Sequence, residues 1–146
     1  MTWQDLLKAR KLQLHKTSPR EINDLRAVVK RDLADANIEG LSDDRRFATA
    51  YNAVLQLTKM VIACEGYRVV GMGYHQTTFE ALEIAMGPSI APFSAYFERC
   101  RRQRNQVDYD MADVATPAEA ELLLDKAQDY QRLVEAWIRR RHPAFA

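Results

Sequence analysis

Between Ser42 and Gly66 the chain runs without a glycine or a proline and carries Phe47, Tyr51, Val54, Leu55, Leu57, Val61 and Ile62. Those positions spread over much of a helical circumference rather than along one stripe, so a helix built from them has to be packed on several sides. Ser42-Asp43-Asp44 supplies an N-terminal signature and Gly66 a stop. One long central helix reaching Glu65 is therefore predicted, with the rest of the chain arranged around it. The stretch is core rather than a cofactor pocket. Asn52, Gln56 and Lys59 interrupt it, and a bilayer requires about 20 mostly apolar residues, so it does not read as a membrane span.

The remaining segments supply helices for that packing. Residues 3 to 15 offer Trp3, Leu6, Leu7 and Leu14 on one side of a first helix. In Ser18-Pro19-Arg20-Glu21, Ser18 can cap, Pro19 suits a first turn and Glu21 completes a capping box. Ile22, Leu25, Val29, Leu33 and Ala36 then recur at helical spacing, with Gly40 as the stop. Tyr67 to His75 contains Gly71 and Gly73 and reads as a loop rather than a strand. Further helices are predicted from about Thr77 to Met86, from near Pro92, and after Ala115-Thr116-Pro117. With five glycines and five prolines in 146 residues, the fold class is all-α: an up-and-down bundle of five to six helices in a single domain, 1-146. A chain of this length can bury roughly two thirds of its unfolded surface.

Charge assigns no polyanion to the whole molecule, because 21 Lys and Arg stand against 20 Asp and Glu. Any such affinity has to come from local clusters. Arg139, Arg140, Arg141 and His142 end the last helix and read as complements to its dipole. Cys64 and Cys100 lack metal-ligand spacing and fall on apolar helix faces, as buried free thiols do in a reducing cytoplasm. The first residues do not resemble a secretory signal. Asp43-Asp44 and Asp108-x-Asp110 read as caps and ion pairs, His15 and His142 as surface or capping residues, and no Gly-rich phosphate loop occurs. Neither a metal site nor a cofactor is expected.

The second cluster is the informative one. Arg99, Arg101, Arg102 and Arg104 precede Asn105, and on a helix running from 93 to 108 the residues Arg101, Arg104 and Asp108 share one stripe. Guanidinium forks match phosphate oxygens bidentately, and Asn105 adds a neutral donor and acceptor beside them. The same stripe also reads as a solvated ion-pair ladder, Glu98 with Arg101 and Arg102, and Arg104 with Asp108. His75, in its segment between helices, is a candidate base from outside the cluster.

Arg104-Asn105-Gln106-Val107-Asp108-Tyr109 resembles the Arg-polar-x-x-x-His motif of the HEPN superfamily, helical bundles that carry it on a late helix. The resemblance covers about 42-138, including Gly73-Tyr74-His75 and the long terminal helix. It implies a metal-independent endoribonuclease component of a toxin-antitoxin or defence system, working as a homodimer on RNA or a nucleotide, with a nucleotidyltransferase antitoxin as partner. Arg104 would then stabilise charge on the phosphoryl oxygens, Asn105 would orient it, and Arg101, Arg102 and His75 would hold the RNA backbone. Tyr109 stands where the family has His. A phenol with a pKa of about 10 is a poor base beside an imidazole near 6.5, which leaves Tyr109 to donate a hydrogen bond or to stack on a base. The alternative reading is a catalytically inactive module that dimerises or binds a protein partner.

Overall fold

The computed structural model describes residues 1–107 and 112–146 and contains, among them, six α-helices, two very short strands and two single 3₁₀ turns. The predicted central helix is α3 (Asp43–Cys64), capped by Ser42, whose hydroxyl accepts from the Arg45 amide at 3.2 Å. Phe47, Tyr51, Val54, Leu57 and Val61 are buried on it. Around it pack α2 (Pro19–Ala36), α4 (Tyr74–Met86), α5 (Ala91–Val107) and α6 (Pro117–Arg141), so the chain is an all-α bundle organised on α3. Each large apolar side chain placed in this core contributes about 1.5–3 kcal/mol over its exposed state.

Helix ends follow the local chemistry closely. Ser18 caps α2 through the Glu21 amide, with Pro19 at the first position. The expected capping box is only half formed: Glu21 Oε1 instead accepts from Thr17 Oγ1 and lies 2.7 Å from His15 Nε2. Thr116 and Glu119 make the reciprocal box at the start of α6. Helix α2 stops at Ala36 with Asn37 as its C-cap, short of Gly40, whose φ of 84° serves the following turn.

Two expectations fail together. The first helix, α1 (Trp3–Lys8), ends seven residues early; Leu12–Leu14 forms strand β1, antiparallel to β2 (Tyr67–Val69) in the segment read as a loop. Leu12 faces Val69 and Leu14 faces Tyr67 across this ribbon. Arg10, at φ 58°, makes the turn between α1 and β1. The ribbon buries Leu12 with Leu6, Ile62 and Ala81 in a small second core, and the Trp3 ring stacks on Tyr67 at 4.5 Å. Burial of that patch, not intrinsic strand length, accounts for the pairing.

At the C-terminal end of α3, Glu65 receives Arg141 at 3.3 Å and His142 at 2.9 Å, so the terminal basic cluster fastens α6 to the end of the central helix. Cys64 and Cys100 are free and buried, and burial pushes each thiol up to about 11. No helix among the described residues is long and apolar enough to cross a membrane.

Candidate functional site

Helix α5 carries Glu98, Arg101, Arg104 and Asn105 along one side, as the three- and four-residue spacing requires. That side meets the first turn of α4. An open cleft of about 270 Å³ forms there, lined by Gly73, Tyr74, His75 and Gln76 from α4 and its cap, and by Arg101, Arg104 and Asn105 from α5. His75 therefore lies in a helical first turn rather than in a loop, because α4 begins three residues earlier than the sequence pattern places it.

The start of α4 differs from those of α1, α2, α3 and α6, each of which has a side-chain cap. Its N-cap is Gly73, at φ 72° and ψ 24°, with no side-chain hydrogen bond and no acidic residue in the first turn. A left-handed N-cap favours glycine, and an uncapped helix start presents amide donors and the positive end of the helix dipole.

His75 is fixed from below by Tyr51 of α3. The Tyr51 hydroxyl lies 2.9 Å from His75 Nδ1, and the rings stack at 5.8 Å with planes 18° apart. Tyr51 is buried, and burial raises its phenol above the ordinary tyrosine range despite the nearby Arg101 and Arg104 charges. The phenol thus keeps its proton and, among the described residues, has Nδ1 as its hydrogen-bonding partner. A buried hydroxyl donor needs an acceptor, and with Nδ1 as that acceptor the neutral imidazole carries its own proton on Nε2. Desolvation, followed by the charges of Arg104, Arg101 and Lys59, holds His75 below the usual imidazole range, with Glu98 opposing them.

The guanidinium groups are also positioned. Glu98 Oε1 accepts from Arg101 Nε at 2.9 Å and Nη2 at 2.6 Å, an ion pair that raises the Arg101 pKa and realises the Glu98–Arg101 pair of the ladder read from the sequence. Arg104 lies over the Tyr51 ring, its Cζ 6.0 Å from the centroid.

The structure thus brings together four of the sequence candidates, His75, Arg101, Arg104 and Asn105. Arg102 falls elsewhere: exposed, it lines a separate depression with Glu80, Glu83 and Glu98, because one residue along a helix turns the side chain by about 100°. Tyr109, and the Asp108 end of the ladder, lie outside the described residues. Sequence reasoning missed Tyr51, Tyr74 and Lys59. The available signal was Lys59 itself, a charge interrupting an otherwise apolar helix, whose ammonium sits 5.4 Å from the Tyr74 ring centroid.

Chemically, this cleft combines cationic forks, helix amides, an amide side chain and an imidazole N–H. All are suited to a phosphate or similar oxyanion. Among the described residues no group of three or more His, Cys, Asp or Glu side chains is arranged to hold a metal ion. Comparisons with family models, with curated proteins and with solved structures find no match.

Proposed function

We propose that the cleft between α4 and α5 binds the phosphate of RNA or of a nucleotide. The observation that carries the reading is the convergence of Arg101, Arg104 and Asn105 with His75 at the uncapped start of α4, from segments separated in the sequence. Arg104 and the α4 amides take the phosphate oxygens, and the Arg101–Glu98 pair holds a second guanidinium at the rim.

Within the resemblance to HEPN ribonucleases, binding is the better supported part. With Nδ1 occupied by Tyr51, His75 offers an N–H donor rather than a lone pair, so it serves as a phosphate ligand and not as the base for a ribose 2′-hydroxyl. Cleavage would need a different base. Dimerisation and a nucleotidyltransferase partner belong to the proposal only through that resemblance.

The test is RNA binding followed by fluorescence anisotropy over a salt series, with end-labelled RNA incubated in EDTA alongside. Arg104→Ala is expected to weaken binding and to reduce the salt slope by about 1, the signature of one lost phosphate contact. An unchanged affinity and slope in Arg104→Ala would falsify the site. Intact RNA in EDTA is the expected companion result; cleavage by the wild type that disappears in Arg104→Ala would instead establish a metal-independent ribonuclease centred here.

A further inference from the structure

A second cleft, of about 510 Å³, lies next to the first and shares Tyr74 with it. Its apolar lining comes from Leu25 of α2, Ile62 and Ala63 of α3, Tyr67 and Val69 of β2, and Tyr74 of α4. At 270 Å³ the phosphate cleft alone falls short of the roughly 300–1,000 Å³ typical of small-molecule sites, whereas its neighbour lies well inside that range. Lys59 lines the second cleft, sits over the Tyr74 ring, and contributes to the electrostatic field at His75 in the first. Lys59 therefore acts on both clefts across the Tyr74 side chain that they share.

The polar groups of the second cleft suit a flat heterocycle. Glu21 is held ionised by His15 and Thr17, both of which engage Oε1, while Oε2 accepts no hydrogen bond among the described residues. That oxygen can accept from a ring N–H or an exocyclic amino group. Tyr74, and Tyr67 on the side not covered by Trp3, supply aromatic surface for a base, and every nucleobase has a face to place against it.

We propose that this pocket receives the base of a nucleotide whose phosphate occupies the α4–α5 cleft, with Tyr74 as the shared wall and Lys59 at the seam. The ligand is then a single nucleotide unit, free or at the end of an RNA, rather than an internal length of backbone. This rests on the phosphate reading above and adds to it a second subsite.

Calorimetric titration of the full chain with inorganic phosphate, ribose 5-phosphate, adenosine and the four nucleoside monophosphates separates the two. Stacking of one base predicts that at least one nucleoside monophosphate binds about tenfold or more tightly than ribose 5-phosphate. Val70→Trp, which places an indole at the pocket wall, should erase that advantage and leave ribose 5-phosphate binding intact; Arg104→Ala should weaken both ligands. Equal binding of ribose 5-phosphate and every nucleoside monophosphate, with both weakened by Arg104→Ala, overturns the base subsite and leaves the phosphate reading standing. Adenosine binding that is blocked by Val70→Trp but gains nothing from a phosphate overturns the shared ligand. Absence of binding by every phosphate compound overturns the phosphate reading itself. The ligand series on the unaltered protein decides the matter even if Val70→Trp fails to fold.

Discussion

His75 concentrates the chemistry of the site in one ring. Its neutral form is favoured in the folded chain by desolvation and by Arg104, Arg101 and Lys59, against the opposing charge of Glu98, with Tyr51 bonded to Nδ1. A histidine depressed in this way stabilises the fold above its unfolded pKa of about 6.5, and that contribution is lost as pH falls toward the lower folded value. A bound anion reverses the local field, raises the proton affinity of His75, and so takes up a proton. Sulfate keeps its charge across about pH 5 to 8, where imidazole titrates, and its binding should therefore tighten as pH falls through the range in which His75 takes up its proton. Calorimetry in buffers of different ionisation enthalpy should show proton uptake for the wild type and none for His75→Gln; equal uptake in both would place the titrating group elsewhere. Arg101, Arg104 and Asn105 were legible as a group because helical spacing alone puts them on one side of α5. Tyr51 was not, because α3 is apolar around most of its circumference and gives no periodic sign of which aromatic residue faces a cleft.

Between elements, the pair of α3 and α6 shows how a buried polar contact fixes one helix against another. Thr58 Oγ1 donates to the Val54 carbonyl at 2.9 Å, which uses its only proton, so Tyr130 must donate to Thr58 across the 2.8 Å gap. Both side chains are completely buried. Thr58→Val strands the Tyr130 hydroxyl and should cost about 1–3 kcal/mol in urea unfolding. In the Tyr130→Phe background the same change should cost distinctly less, the coupling expected of two groups in direct contact. Additive losses would show that the hydroxyls do not depend on one another. Caps such as Ser42 and Ser18 were readable because each acts within three residues of itself. The ribbon was not readable: each strand has three residues, and its pairing partner lies 55 positions away, as in Gln13 with Arg68. Gly71 and Gly73 pointed correctly to irregular backbone, yet Tyr67–Val69 just before them is held straight by burial against α1 and β1.

At the scale of the molecule, the helical order around α3 was legible from a single feature, the apolar girth of residues 43–65, since a helix that must be covered on several sides leaves few alternatives. Burial of that order also protects the thiols. Cys64 and Cys100, both raised to about 11, should react with an aromatic disulfide reagent at pH 8 only as fast as the bundle opens, and promptly once urea unfolds it. Rapid labelling of either thiol in the native protein would mean that its helix face opens locally. The β1–β2 ribbon has a different consequence, one of sequence in time. Contacts between α2 and α3 join neighbours along the chain, whereas the ribbon has to close a loop of more than fifty residues before its few bonds form. The wall carrying Tyr67 and Val69 thus depends on a long loop closure that the α2–α3 pair does not need, so the cleft it helps to shape should form after that pair as the chain folds.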